Sequence, residues 1–159
     1  MKVAIVMGSK SDLEVVSKAA ETLEKFGIEP IMRIMSAHRT PAEVMSFIAS
    51  AEENGIEVII GAAGKAAHLP GVIAAFTVLP VIGLPIKSSF MDGMDSLLSI
   101  VQMPSGIPVA TVAVNGADNA GILAAQIISV KYPEVREKLK AFREKMRQDV
   151  IAADESIQK

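Results

Sequence analysis

The sequence predicts an α/β chain, three layers deep as α/β/α, with a central parallel sheet of flavodoxin-like type. Five short apolar runs alternate with helical patterns, and strands buried on both faces of a parallel sheet read in this way. Polar or glycine-containing loops follow the first three runs, at Gly8, Ser36 and Gly61. Such crossovers bring the carboxyl ends of parallel strands to one edge, where open sheets build ligand sites. No fixed-period repeat, low-complexity tract or linker interrupts the 159 residues, so 1–159 is expected to be one domain with length enough for a full core.

The first run, residues 2–7, is followed by Gly8-Ser9-Lys10-Ser11-Asp12 and a helical pattern in which Leu13, Val16, Ala20, Leu23 and Phe26 recur at three and four residues. Gly27 is its expected stop. The loop has neither Walker nor GxGxxG spacing, but its serines and the helix start suit an anion, with Ser11 or Asp12 expected as the cap. Residues 28–34 form the second strand pattern and 41–54 the second helix, with Val44, Phe47, Ile48 and Ala51 on one face and Gly55 as its stop. Residues 57–60 make the third strand. They lead into a loop of small residues, 61–71, that suits either backbone access to a ligand or tight packing of helix on sheet.

A short helix at 72–75 precedes the fourth strand, 79–83, where Pro80 and Pro85 predict restricted pairing. After the polar connection 88–92, residues 94–103 read as a helix with Leu97, Leu98 and Val101 inward. The fifth strand is expected over 107–114, a turn at Asn115-Gly116 and a helix over 119–129. From Pro133 a last helix carries Val135, Leu139, Phe142, Met146 and Val150 as one apolar stripe on a charged surface. That stripe either covers the chain's own sheet or, coming after five βα units, extends to a neighbouring subunit, and the second is the expectation.

Composition narrows the function. Hydrophobic residues make up 50% of the chain and mean hydropathy is +0.39, which calls for a sheet covered on both faces or for burial between subunits. The most apolar region, 71–86, is broken by Pro80 and Pro85 and falls short of the roughly 20 residues that span a bilayer, so no membrane association is expected. The amino terminus enters a strand pattern without the layout of a signal peptide, which makes the cytoplasm the expected compartment. Sixteen basic and eighteen acidic residues leave a net charge of −2, no footprint for nucleic acid. The absence of cysteine excludes disulfides, a thiolate nucleophile and Cys-based metal centres. Aromatic residues at 4%, with no Trp, supply little to stack a flavin or a base.

Within this frame the segment Ser36-Ala37-His38-Arg39-Thr40-Pro41 stands out. Thr40 as N-cap, Pro41 at N1 and Glu43 at N3 describe a helix start, which leaves Ser36, His38 and Arg39 unexplained. An imidazole can move protons near neutrality and a guanidinium can fork onto phosphate or carboxylate. Three loops converging with these two residues form the functional argument.

Five segments in order, GSKSD (8–12), SAHRTP (36–41), GAAGKAAHLPG (61–71), MDGMDSLLSIVQMPSGIPVATVAV (91–114) and NAGILAA (119–125), make the chain resemble the bacterial N5-carboxyaminoimidazole ribonucleotide mutase family (PurE). The likeness weakens only in the last helix. It implies an isomerase of de novo purine biosynthesis that shifts a carboxylate from the exocyclic nitrogen to a ring carbon of aminoimidazole ribonucleotide, using no metal, biotin or nucleoside triphosphate. It further implies ribonucleotide binding by Ser9, Asp12 and Arg39 with Ser11 and Ser36 beside them, Ser9, Ser36 and Arg39 toward phosphate and Asp12 toward the ribose. His38 matches the acid/base position. Ala63, Gly64 and the following loop, with Lys65, His68 and Leu69, match the surroundings of the base and its carboxylate. Lys65 stands where the family commonly has glycine, and AAHLPG favours the mutase over the related branch that carboxylates with carbon dioxide directly, and the five matched motifs and low aromatic content favour it over a non-catalytic flavodoxin-like binding module. A homo-oligomer, an octamer with shared sites, is implied as well.

The residue types suit that chemistry. Breaking an N–carboxylate bond gives carbon dioxide and an amine, a loss of charge that a dry pocket favours. A wall of alanine and glycine holds a small apolar gas, and His38 can take the displaced ring proton.

Overall fold

The structure, a computed structural model, describes residues 1–158. Strands β1 (Lys2–Met7), β2 (Glu29–Ile34), β3 (Ile56–Gly64), β4 (Val81–Ile86) and β5 (Ala110–Thr111) form one sheet in the order β2-β1-β3-β4-β5, parallel throughout. Helices α1 (Leu13–Lys25), α2 (Pro41–Ala49), α3 (Leu69–Ala75), α4 (Met94–Val101), α5 (Ala117–Ile128) and α6 (Pro133–Ile157) occupy the connections and the end of the chain. This is the flavodoxin-like order, and its direction of travel reverses between β1 and β3.

Alternation of side chains divides the core in two. Val3, Ile5 and Met7 of β1 pack with α1, α5 and the start of α6, while Ala4 and Val6 pack with α2, α3 and Ile100. Both faces of the central strands are therefore covered, and each fully buried aliphatic side chain contributes about 1.5–3 kcal/mol. Helix α1 ends as expected: Gly27 holds φ of +79°, its amide bonds to Glu24 and that of Ile28 bonds to Leu23, the paired closure that a left-handed residue allows.

Several expectations are corrected. The small residues 61–64 belong to β3, in register with Gly83 to Ile86 of β4. A Cβ on Gly61 would meet Pro70 at 3.0 Å, so tight packing of α3 explains the start of this run. Helix α2 stops at Ala49, and a turn continues to Gly55, whose φ is +77°. Strand β5 keeps only two of the expected residues. At the carboxyl end the reason lies in Pro85: its carbonyl accepts from Asn115 on that side, so the N–H it lacks would have faced β5 as well, and the ladder stops after Thr111. Pairing of β4 is restricted on this flank, as the prolines predict, while its β3 flank is continuous. In α4 the inward positions are Ser96 and Ile100, because the Ser96 hydroxyl donates to the Ile86 carbonyl at 2.7 Å. Leu98 and Val101, expected inside, are 47% and 46% exposed.

The last helix divides its stripe. Val135 and Leu139 are buried in the chain's own core, and Phe142 meets Phe26 edge to face at 5.7 Å. Met146 and Val150 are 50% and 71% exposed.

Candidate active site

A cavity of about 580 Å³ opens at the carboxyl ends of β1, β2, β3 and β4. Every residue singled out from the sequence lines it: Ser9, Ser11 and Asp12 after β1; Ser36, His38 and Arg39 after β2; Ala63, Gly64, Lys65, His68 and Leu69 at the end of β3 and beyond. The reversal of topology between β1 and β3 creates the crevice, since the loops leaving these strands turn to opposite faces.

After β1 the chain makes a 3-10 turn, residues 10–12, ahead of α1. Asp12, one of the two residues expected as the cap, stands at the N-cap of α1 without a side-chain bond to that helix, and the turn itself is capped by Ser9: the Ser9 hydroxyl accepts from the Ser11 amide at 3.3 Å and the Asp12 carboxylate accepts from the Ser9 amide at 3.1 Å. This reciprocal arrangement is a capping box. The Ser11 hydroxyl lies 2.9 Å from that of Ser9 and 3.2 Å from Asp12. Asp12 is only 8% exposed. Burial pushes its carboxyl above the ordinary value, opposed by the Ser11 hydroxyl, the Ser9 amide and the charge of Arg39.

After β2 a turn presents His38 and Arg39. Thr40 stands at the N-cap of α2 without capping it; its hydroxyl instead accepts from the Ser36 amide at 2.8 Å and lies 3.2 Å from the Ser36 carbonyl. The Ser36 hydroxyl in turn accepts from the Arg39 amide at 3.2 Å and from its Nε at 3.4 Å. A terminal guanidinium nitrogen of Arg39 donates to the Gly8 carbonyl at 2.7 Å. Arg39 thus ties the first two loops together and keeps donors in hand for an anion.

On the third loop Lys65 has φ of +57°. This is the left-handed conformation that glycine adopts freely and that costs a side chain roughly 1–2 kcal/mol. The lysine therefore takes up a glycine-like backbone. Beyond it, Ala67 and Leu69 are buried and set His68 at the mouth of the cavity, with its Nδ1 2.9 Å from Nε2 of His38.

Sequence reasoning left out two things. The last residue of β4, Ile86, and the segment after it, Lys87 to Ser89, also line the cavity; that β4 pairs with β3 is a fact of sheet order, and only the polar composition of 88–92 hinted at it. The pairing of the two histidines joins residues thirty positions apart, a contact that no local pattern encodes.

A model of the family described as AIR carboxylase matches residues 2–149. The chain is 58% identical over 150 residues to the N5-carboxyaminoimidazole ribonucleotide mutase of Thermotoga maritima, covering 94% of this chain and 88% of that protein. It is 54% identical over 153 residues to the Vibrio cholerae protein of the same name, covering 95% of each. Among solved structures, Treponema denticola PurE superposes with a TM-score of 0.90 at 34% identity over 99% of each chain. Sequence match over nearly the full length and a shared backbone agree with the cavity described above: the chain belongs to the AIR carboxylase family.

Proposed function

We propose that the protein is an N5-carboxyaminoimidazole ribonucleotide mutase, converting its substrate to 4-carboxy-5-aminoimidazole ribonucleotide. The observation that carries this reading is the content of one cavity: a guanidinium and serine donors on the first two loops, an imidazole beside them, and an apolar wall of Ala63 and Gly64. Phosphate faces Ser9, Ser36 and Arg39, and the ribose hydroxyls face Asp12, with Ser11 beside it. Charge-assisted donors suit the first, and a carboxylate acceptor suits the second. The base lies against the β3 loop. There the N–C bond breaks, carbon dioxide leaves and the nitrogen gains a proton. The ring carbon then bonds to carbon dioxide and loses its proton to His38, so the proton gained at nitrogen balances the one lost at carbon. The loss of charge on the departing carboxylate is favoured where water is excluded.

The same reading places the enzyme in the cytoplasm as one domain that assembles, as an octamer, with its own copies. The exposed apolar side chains Met91, Met94, Leu98 and Val101 near the cavity, and Met146 and Val150 on α6, support burial against neighbouring subunits, with α6 reaching one of them. No helix of the described residues is long and apolar enough to cross a membrane. The decisive test is incubation with the N-carboxylated ribonucleotide without ATP or bicarbonate. Appearance of the carbon-carboxylated product is expected. Product formed only from aminoimidazole ribonucleotide and carbon dioxide would replace the mutase by a direct carboxylase.

A further inference from the structure

The cavity holds both histidines of the chain, and they touch. Nε2 of His38 lies 2.9 Å from Nδ1 of His68, and the rings meet edge to face at 79° with centroids 5.0 Å apart. A hydrogen bond between two imidazole nitrogens needs one donor and one acceptor, so a single proton lies between them. The contact occupies Nε2 of His38. Nδ1 is then its one ring nitrogen open to a ligand, and among the described residues no other group bonds either ring.

The two partners are anchored differently. His38 sits on the turn between β2 and α2. His68 opens α3: its amide donates to Ala66 at 2.9 Å, its carbonyl accepts from Val72 at 2.9 Å, and its neighbours Ala67 and Leu69 are buried. The backbone that carries His68 is thus held at the start of α3, and its imidazole meets that of His38 from there.

We propose that His68 is a positioning residue, acting on the reaction through His38 rather than by binding the ribonucleotide. By engaging Nε2 it fixes the His38 ring so that Nδ1 meets the reacting carbon and nitrogen. This rests on the acid/base reading of His38. In that reaction the C–H electron pair returns to the imidazole ring of the substrate while the proton passes to Nδ1, and the proton delivered to the exocyclic nitrogen leaves from the same atom. Ring orientation matters because a reacting group displaced by about 1 Å can cost a factor of 100.

The test compares His68→Leu, which removes the partner, with His68→Asn, which keeps a polar atom near the place of Nδ1. His68→Leu should lower kcat by about 10- to 100-fold with KM unchanged, and His68→Asn should recover most of that loss. A rise in KM alone would make His68 a ligand contact and overturn the proposal. Equal losses of kcat in both variants would make His68 a proton carrier, which overturns it too, as would unchanged kinetics. Labelling histidine with nitrogen-15 gives a readout free of substrate, since each variant retains His38 as its one histidine. The His38 Nε2 resonance should move in His68→Leu and return toward the wild-type position in His68→Asn; the same position in all three proteins would show that the contact does not form. An inactive wild type would overturn the mutase reading and this role together, whereas an active wild type with insensitive variants overturns this role alone.

Discussion

At the carboxyl edge of the sheet the chain supplies partners for its own polar side chains: Ser9 with Asp12, Arg39 with Ser36 and Gly8, His38 with His68. Along the outer faces of α4 and the second half of α6 it supplies none for its apolar ones, and Met94, Leu98, Met146 and Val150 face solvent. The contrast separates two kinds of information. Groups that orient one another in this way are preorganised by contacts within a single chain. An apolar face left open names no partner by itself.

The largest expected effect tests the first half of this contrast. His38→Asn keeps polarity and approximate size but cannot exchange protons near neutrality, and turnover should fall by roughly 100- to 10,000-fold while ribonucleotide binding and the melting midpoint hold. Near-normal turnover per folded molecule would remove His38 from the chemistry and leave the pair a structural contact.

Next comes α6, where the contrast runs through one helix. Leu139→Ala should cost the folded chain about 2–5 kcal/mol, the range for a buried leucine, whereas Val150→Ala should leave unfolding of the separated chain unchanged and weaken assembly. Denaturant unfolding and light scattering on both variants check this. Equal effects on unfolding would mean that the exposed half of the helix is covered within the chain. Removing everything after Tyr132 would also take Val135 and Leu139 out of the core; ending the chain after Arg143 spares them.

Arg39→Ala should weaken ribonucleotide binding by about one to two powers of ten, the worth of a charge-assisted hydrogen bond of roughly 1.5–3 kcal/mol. Titration calorimetry measures it, and unchanged affinity would move the phosphate toward Lys65 or Lys87. The smallest effect is on Asp12. Because burial raises its carboxyl above the ordinary value, the folded state holds this proton more tightly than the unfolded one. Its contribution to stability is present in acid and is lost as pH rises through the raised value. Asp12→Asn should therefore leave the free protein as stable or slightly more stable at neutral pH, flatten this part of the pH dependence, and weaken binding. A lower melting midpoint at neutral pH would show that the contacts to Ser9, Ser11 and Arg39 outweigh the burial.

Much of this was determined by the sequence alone. Alternation of apolar runs and helical stripes specified the parallel sheet, since strand and helix periods are local properties of the chain. The three loops after the first three runs were legible because each combines a strand end with glycine, serine or histidine, and all of their singled-out residues line one cavity. Tertiary structure decided the rest. Whether residues 61–64 were strand or loop depended on β4 lying alongside, and the length of β5 depended on which flank of Pro85 it met. The inward face of α4 followed from Ser96 finding the Ile86 carbonyl rather than from the hydrophobicity of Leu98 and Val101. The meeting of His38 with His68 required β2 and β3 to flank β1, with the loops that leave them brought together. Contacts of this kind join residues far apart in sequence, and short-range patterns carry no record of a pairing that exists only once the sheet has closed.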